Sequence, residues 1–112
     1  MLALDAAVAA YDCGRGVWPT MRVADRIAAM QKFLAAMSAR RADVVQLIMW
    51  EIGKTLGDSE KEFDRTVDYI RQTIEALRDL DNTNSRFEIV EGTIGLVRRT
   101  PLGVVLCMGP YN

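Results

Sequence analysis

The sequence predicts an α/β fold in which helices are followed by a pair of strands and then by a buried parallel strand. Three observations predict it: apolar residues recur at three- and four-residue steps up to about residue 82, the period changes to two from residue 86, and an unbroken apolar run occupies 104–108. The first two periods are typical of amphipathic helices and of strands. A short apolar run that ends in Gly109-Pro110 is typical of a strand covered on both faces, as in parallel sheets.

Length, charge and cysteine content restrict the class of protein. The chain has 112 residues with 14 Lys and Arg against 15 Asp and Glu, so neither a nucleic-acid partner nor a polyanion mimic is indicated. It contains no histidine, and Cys13 and Cys107 lack metal-ligand spacing. This pattern argues against a zinc site and favours a reducing cytoplasm. No apolar run approaches membrane-spanning length, so no membrane association is expected.

The first helices are predicted from an alanine-rich start and an apolar stripe. The segment 4–11 favours a helix, and Gly14 provides a stop signal. Pro19 marks the beginning of the next helix, since proline is favoured in a first turn. Its apolar stripe consists of Ile27, Met30, Leu34 and Met37.

The segment 42–52 is apolar almost all round, which predicts a heavily buried helix with Trp50 in the core. Gly53-Lys54-Thr55 has the appearance of the end of a phosphate-binding loop. The upstream glycine of that motif is missing and no strand precedes it, so Gly53 is interpreted as a helix C-terminus.

The clearest helix begins near Thr55 or Asp58, either of which can cap it. Its core-facing residues, at alternating steps of four and three, are Phe63, Val67, Ile70, Ile74 and Leu77. Arg65 lies on the opposite face. Taken alone, it is interpreted as the partner of Asp68 or Glu62 in an exposed ion pair, which contributes little to stability.

The period-two segment that starts at Arg86 predicts two strands joined near Gly92 or Gly95. A lone hairpin is marginally stable in water, and this one has a partly apolar face. The hairpin is therefore expected to associate with another surface, with packing inside the monomer as the alternative.

The last four residues carry the candidate chemistry. Gly109 allows a ligand close to the backbone, and Pro110 stiffens the turn. The amide of Asn112 can donate a hydrogen bond to a developing oxyanion at the end of a parallel strand, where ligands commonly bind. The alternative is a simple turn in which Asn112 tolerates an unusual backbone conformation.

The string PLGVVLCMGPYN resembles the Pro-x-Gly-Val-Val … Pro-(Trp/Phe/Tyr)-Asn segment of the aldehyde dehydrogenase superfamily. Tyr111 and the GKT…EFDRT stretch are most similar to its NADP-dependent, non-phosphorylating glyceraldehyde-3-phosphate dehydrogenase branch. The resemblance runs from about Leu4 to the end of the chain. It implies the N-terminal fragment of an aldehyde dehydrogenase fold, with Met1 as an internal start or a truncation.

Three regions follow from this resemblance. Residues 1–82 correspond to the helical part of the cofactor-binding domain, 83–101 to a hairpin arm that joins subunits of a homo-oligomer, and 102–112 to the first strand and catalytic turn of a Rossmann-like parallel sheet. The arm agrees with the association expected from the apolar hairpin face.

The resemblance also implies an activity: oxidation of an aldehyde, glyceraldehyde 3-phosphate in this branch, through a cysteine thioester. Asn112 then holds the oxyanion, while Gly109, Pro110 and Tyr111 line the site of NADP, or of NAD. Tyr111 stands where tryptophan is common in the superfamily. Arg65, followed by Thr66, occupies the position of an arginine that holds the substrate phosphate.

The nucleophile, the base and the cofactor phosphate loop of such an enzyme would follow residue 112, because neither cysteine matches the nucleophile's setting. Cys107 is expected to be inert inside the buried strand. The chain alone is therefore expected to be inactive. Two alternatives remain open: an NAD-dependent dehydrogenase of unphosphorylated aldehydes, and a stand-alone helical interaction module.

Overall fold

The computed structural model describes residues 2–84, 86–96 and 99–109. The described residues are mostly helical and include one small antiparallel sheet. The elements in chain order are α1 (Leu2–Tyr11), a 3₁₀ turn (Asp12–Gly14), α2 (Val17–Thr20), α3 (Val23–Ala39), α4 (Arg41–Ile52), α5 (Leu56–Asn84), β1 (Glu88–Val90) and β2 (Thr93–Gly95). They form two compact units, one of residues 23–83 and the other of the described residues within 1–22 and 84–112.

The predicted first helix is confirmed, and a left-handed turn ends it. Asp12, Cys13 and Gly14 have φ values of 44°, 51° and 84°, a region that L-residues seldom adopt. Position 16 has no room for a side chain, because a Cβ there would lie 1.8 Å from the carbonyl oxygen of Ala10.

The predicted start of the next helix at Pro19 is displaced: Pro19 lies inside the short α2, and the long helix begins at Val23.

The unit of residues 23–83 packs its three helices around one apolar cluster. Leu34 of α3, Val45 of α4, and Phe63 and Val67 of α5 form the buried centre. The apolar stripes predicted for α3 and α5 face this centre, since their other members are buried or half-buried. Burial of this kind is the main source of stability for helices in water.

The ends of α4 and α5 follow their local signals. Gly53 has a left-handed φ of 73° and donates its N–H to the Met49 carbonyl at 2.9 Å, so the predicted helix C-terminus is confirmed. The backbone N–H of Asp58 donates to Thr55 Oγ1 at 3.2 Å, which confirms the N-terminal cap. The helix then continues through the polar segment 79–84, beyond its predicted end.

The prediction that α4 is heavily buried is wrong. Only Val45 of this helix is buried, and Trp50 remains 71% exposed. The physical reason is the number of neighbours: α4 packs its stripe against α3 and α5, and the described residues of this unit provide no further helix to cover the opposite face.

The predicted hairpin is confirmed, and its apolar face is exposed. Ile89 pairs with Ile94 across the antiparallel ladder, and the turn residues Glu91 and Gly92 have φ values of 49° and 79°. Two positive φ values suit the tight turn that matches strand twist. Alternation places Phe87 and Leu96 on the same face as the isoleucine pair. All four side chains are between 44% and 73% exposed.

The predicted buried strand at 104–108 is not formed. Residues 99–109 belong to no strand, and Leu106 and Met108 are 79% and 82% exposed. A strand needs a hydrogen-bonded partner, and within the described ranges the sole ladder joins β1 to β2. Cys107 is exposed as well, which corrects the expectation of an inert buried thiol.

None of the described helices combines the length and the apolar character that crossing a bilayer requires.

Candidate functional site

The predicted site residues fall in both units. Gly109 belongs to the unit that contains the hairpin, is exposed, and has no atom within 4 Å of the position that a Cβ would take. Its backbone is therefore open to a ligand. Pro110, Tyr111 and Asn112 lie outside the described residues.

Arg65 belongs to the other unit and lies on the exposed face of α5. It follows Asp64 and stands two residues after Phe63, whose side chain is 3% exposed. Because successive helical residues point in directions about 100° apart, burial of Phe63 turns Arg65 away from the core. The guanidinium is thus directed to the surface by the packing of its own helix.

The carboxylates of α5 nearest to Arg65 are held by other cations. Lys54 Nζ donates to Glu62 Oε2, with both side chains about one third exposed. Arg71 Nη1 donates to Asp68 Oδ1 at 3.1 Å. The predicted pairing of Arg65 with Asp68 or Glu62 is wrong, because Arg65 forms an ion pair with neither carboxylate and each is paired with another cation.

Asp64, the residue before Arg65, accepts two hydrogen bonds from one guanidinium. Arg41 at the start of α4 donates to it through Nε and Nη2, each at 2.9 Å, and donates to Glu60 through Nη1 at 3.1 Å. The hydrogen bond from Arg41 lowers the pKa of Asp64, and the hydrogen bonds to Asp64 and then to Glu60 raise the pKa of Arg41. Both groups stay ionised at neutral pH, and Arg41 also lies 6.0 Å from the centre of the Phe63 ring.

Arg65 is left as an exposed guanidinium. Within residues 2–84, 86–96 and 99–109 it makes no side-chain hydrogen bond or ion pair. A guanidinium presents a planar fork of donors that fits two oxygens of a phosphate or carboxylate. The surface of α5 can therefore bind an anion at this position.

Sequence reasoning missed the cations that compete with Arg65 for carboxylates. Arg41 is 23 residues from Asp64, and Lys54 is 8 residues from Glu62 across the junction of α4 and α5. The local spacing rules for helices concern residues three and four apart. Two signals were available: the three-residue spacing of Asp68 and Arg71 on α5, and the predicted break at Gly53, after which Lys54 contacts α5.

Two open grooves lie on the unit of residues 23–83, and neither includes Arg65. One, of about 470 Å³, has an apolar floor of Leu34 and Ile74. The residues that line the other, of about 430 Å³, include Val45, Leu56 and the exposed Trp50. No cluster of three or more potential metal ligands occurs among the described residues.

Comparison with protein families matches residues 2–112 to the aldehyde dehydrogenase family. N-succinylglutamate 5-semialdehyde dehydrogenase of Salmonella paratyphi B is 33% identical over 98% of this chain and 21% of its own length. The enzyme of the same name from Chromobacterium violaceum is 29% identical over 97% of the chain and 22% of its own length. Malonate-semialdehyde dehydrogenase 1 of Bacillus thuringiensis is 29% identical over 98% of the chain and 22% of its own length.

The chain therefore spans about a fifth of the length of these relatives. Comparison with solved structures gave no match. These three relatives are named as semialdehyde dehydrogenases. They therefore do not support the assignment of this chain to the glyceraldehyde-3-phosphate dehydrogenase branch of the family. The family itself is shown by a match that covers nearly every residue, including the terminal Pro-Tyr-Asn: this chain belongs to the aldehyde dehydrogenase family.

Proposed function

We propose that the chain is the N-terminal part of an enzyme that oxidises an aldehyde to a carboxylic acid with NAD or NADP. The observation that carries the proposal is the family match over residues 2–112. The names of the relatives favour a semialdehyde that bears a carboxylate over a phosphorylated aldehyde. The same match favours an enzyme over a stand-alone helical interaction module.

Asn112 is the catalytic residue of this chain in the proposal. When a cysteine thiolate adds to the aldehyde carbon, the carbonyl oxygen gains negative charge, and the amide N–H of Asn112 donates to it. A bound NAD or NADP supplies the acceptor for hydride. Water, activated by a glutamate base, then hydrolyses the thioester to release the acid and the thiolate.

Three residues of the chain would contact the cofactor: Gly109, Pro110 and Tyr111. Of these three, Gly109 lies within the described residues. It suits cofactor binding, because its exposed backbone has open space where a side chain would stand. NADP remains the proposal that follows from the sequence resemblance, and NAD is the alternative. Cys13 and Cys107 are both free, in keeping with a reducing cytoplasmic location, and neither is proposed as the nucleophile.

The hairpin is proposed to join subunits, and the segment after it is proposed to form part of a sheet. The exposed apolar face of Phe87, Ile89, Ile94 and Leu96 suits homo-oligomerisation through residues 83–101. Residues 102–112 would become the first strand of a Rossmann-like sheet once partner strands are present. Residues 1–82 would then be the helical part of the cofactor-binding domain.

Turnover tests the proposal directly. The 112-residue chain alone is expected to form no NADH or NADPH with malonate semialdehyde, because the nucleophile and the base are placed outside it. The complete reading frame that contains the chain is expected to form the reduced cofactor with an aldehyde and either NAD or NADP. Steady turnover by the 112-residue chain, or none by the complete protein with any aldehyde, would contradict the proposal.

A second candidate substrate is glyceraldehyde 3-phosphate, because the unpaired guanidinium of Arg65 can bind a phosphate as well as a carboxylate. We expect Arg65→Ala in the complete enzyme to raise KM for an anionic aldehyde about 10- to 100-fold, since a hydrogen bond to a charged group contributes about 1.5–3 kcal/mol. Steady-state kinetics with glyceraldehyde 3-phosphate, malonate semialdehyde and propanal measures this. The matched control is Lys61→Ala, which removes another exposed cation one turn away on α5.

The three substrates separate the outcomes. A loss confined to glyceraldehyde 3-phosphate supports the phosphorylated substrate, and a loss for both anionic aldehydes supports recognition of the negative charge in general. An unchanged preference among the three would refute a substrate role for Arg65.

A further inference from the structure

Two carboxylates on α5 are spaced to neutralise Arg65. Glu62 precedes it by three residues and Asp68 follows it by three. Helical residues at this spacing have Cβ atoms about 5–6 Å apart and commonly form ion pairs. An arginine between two such carboxylates would ordinarily be occupied by one of them.

Each carboxylate is occupied by a different cation. Lys54, immediately after the left-handed Gly53, donates to Glu62, and this pair is the more buried of the two. Arg71, one turn beyond Asp68, donates to it at 3.1 Å, with both side chains 62% exposed. The adjacent Asp64 is held by Arg41 at 2.9 Å.

We infer that Lys54 and Arg71 are positioning residues that keep the guanidinium of Arg65 unpaired, so that it can bind the anionic group of an aldehyde substrate. The inference rests on the proposed substrate role of Arg65. Neither Lys54 nor Arg71 is required to touch the substrate. Each acts by holding a carboxylate that would otherwise compete with the substrate for Arg65.

The size of the effect follows from competition. A carboxylate that pairs with Arg65 reduces the fraction of enzyme with a free guanidinium, and the apparent affinity falls by the same fraction. A helical ion pair at this spacing is weak, so each released carboxylate is expected to raise KM roughly two-fold, and both together roughly four-fold.

The test is the double variant Lys54→Gln/Arg71→Gln in the complete enzyme. We expect KM for malonate semialdehyde to rise roughly four-fold, with kcat unchanged and with KM for the neutral aldehyde propanal unchanged. The control is Arg78→Gln, which removes a cation from the same helix. Its carboxylate partner Glu75 lies ten residues, or about 15 Å along the helix, from Arg65, so no rise is expected.

Rescue distinguishes positioning from a general structural role. Adding Glu62→Gln and Asp68→Asn to the double variant removes the competing charges, and KM should return to the original value. If the double variant acts by loosening the helix packing, the added substitutions restore nothing. An unrestored KM, or an equal change with propanal, would overturn the inference.

A crystal structure of the double variant provides a measurement that does not depend on activity. We expect the guanidinium of Arg65 within about 4 Å of a carboxylate oxygen of Glu62 or Asp68, the distance of a salt bridge. An Arg65 that stays unpaired there would overturn the inference even if the enzyme is active. If Arg65→Ala leaves every KM unchanged while the new pair forms, the proposed role of Arg65 fails and the competition between ion pairs still holds.

Discussion

Replacing Asn112 by alanine in the complete enzyme is expected to lower kcat by about 10²–10³, with little change in KM. The side-chain amide is proposed to donate to an oxygen whose negative charge develops in the transition state and is complete in the intermediate. Its loss therefore removes stabilisation of the transition state and leaves binding of the neutral carbonyl nearly intact. Formation of NADH or NADPH at saturating aldehyde measures kcat.

The matched control is Asn82→Ala, since Asn82 is an exposed asparagine near the end of α5. That variant should retain full activity. A kcat for Asn112→Ala within a factor of about two of the parent value would mean that Asn112 is not an oxyanion donor.

Replacing Phe63 by alanine is expected to lower the free energy of unfolding of the unit of residues 23–83 by about 3–5 kcal/mol. Phe63 is 3% exposed at the centre of the cluster that joins α3, α4 and α5, so its removal leaves a cavity among Leu34, Val45 and Val67. Domains of this size are often stable by only about 5–15 kcal/mol, and a loss of this magnitude is a large fraction of that. Denaturant unfolding followed by helical circular dichroism measures it.

Trp50→Ala is the control for the loss of an aromatic side chain. Trp50 is 71% exposed on α4, so this variant should change the free energy of unfolding by less than about 0.5 kcal/mol. If Trp50→Ala is as destabilising as Phe63→Ala, the core does not lie where the packing of residues 23–83 indicates.

The helices with one apolar stripe could be predicted from the sequence. The stripes of α3 and α5 set their buried faces, and Gly53 and Thr55 set the junction between α4 and α5, because cap signals depend on a few neighbouring residues. The hairpin was predictable for the same reason, since Glu91-Gly92 defines its turn locally.

The exposure of α4 could not be predicted, because an apolar segment is buried only where neighbours cover it. Trp50 and Leu47 are apolar, yet the described neighbours of α4 cover the side that holds Val45. Residues 104–108 show the same dependence for a strand, whose hydrogen bonds require a partner that local sequence does not specify.

The sequence could identify the residue Arg65 as a candidate, but it could not predict which side chains surround it. Arg65 was singled out by its family position, whereas its expected ion pair was wrong because Lys54 and Arg71 hold the nearby carboxylates. The Asp68–Arg71 pair follows the spacing rule within one helix, whereas the Lys54–Glu62 pair is a contact across a helix junction, which that rule does not describe. The roles of Asn112 and of Gly109, Pro110 and Tyr111 stay predictions.

A crystal structure of the complete enzyme with a bound aldehyde analogue is the most direct test of the oxyanion role assigned to Asn112. We predict that residues 104–108 form a covered parallel strand and that Nδ2 of Asn112 lies about 2.7–3.1 Å from the oxygen bound where the aldehyde oxygen reacts. A structure in which the Asn112 amide points away from that oxygen, or in which residues 104–108 are coiled in the complete subunit, would contradict it.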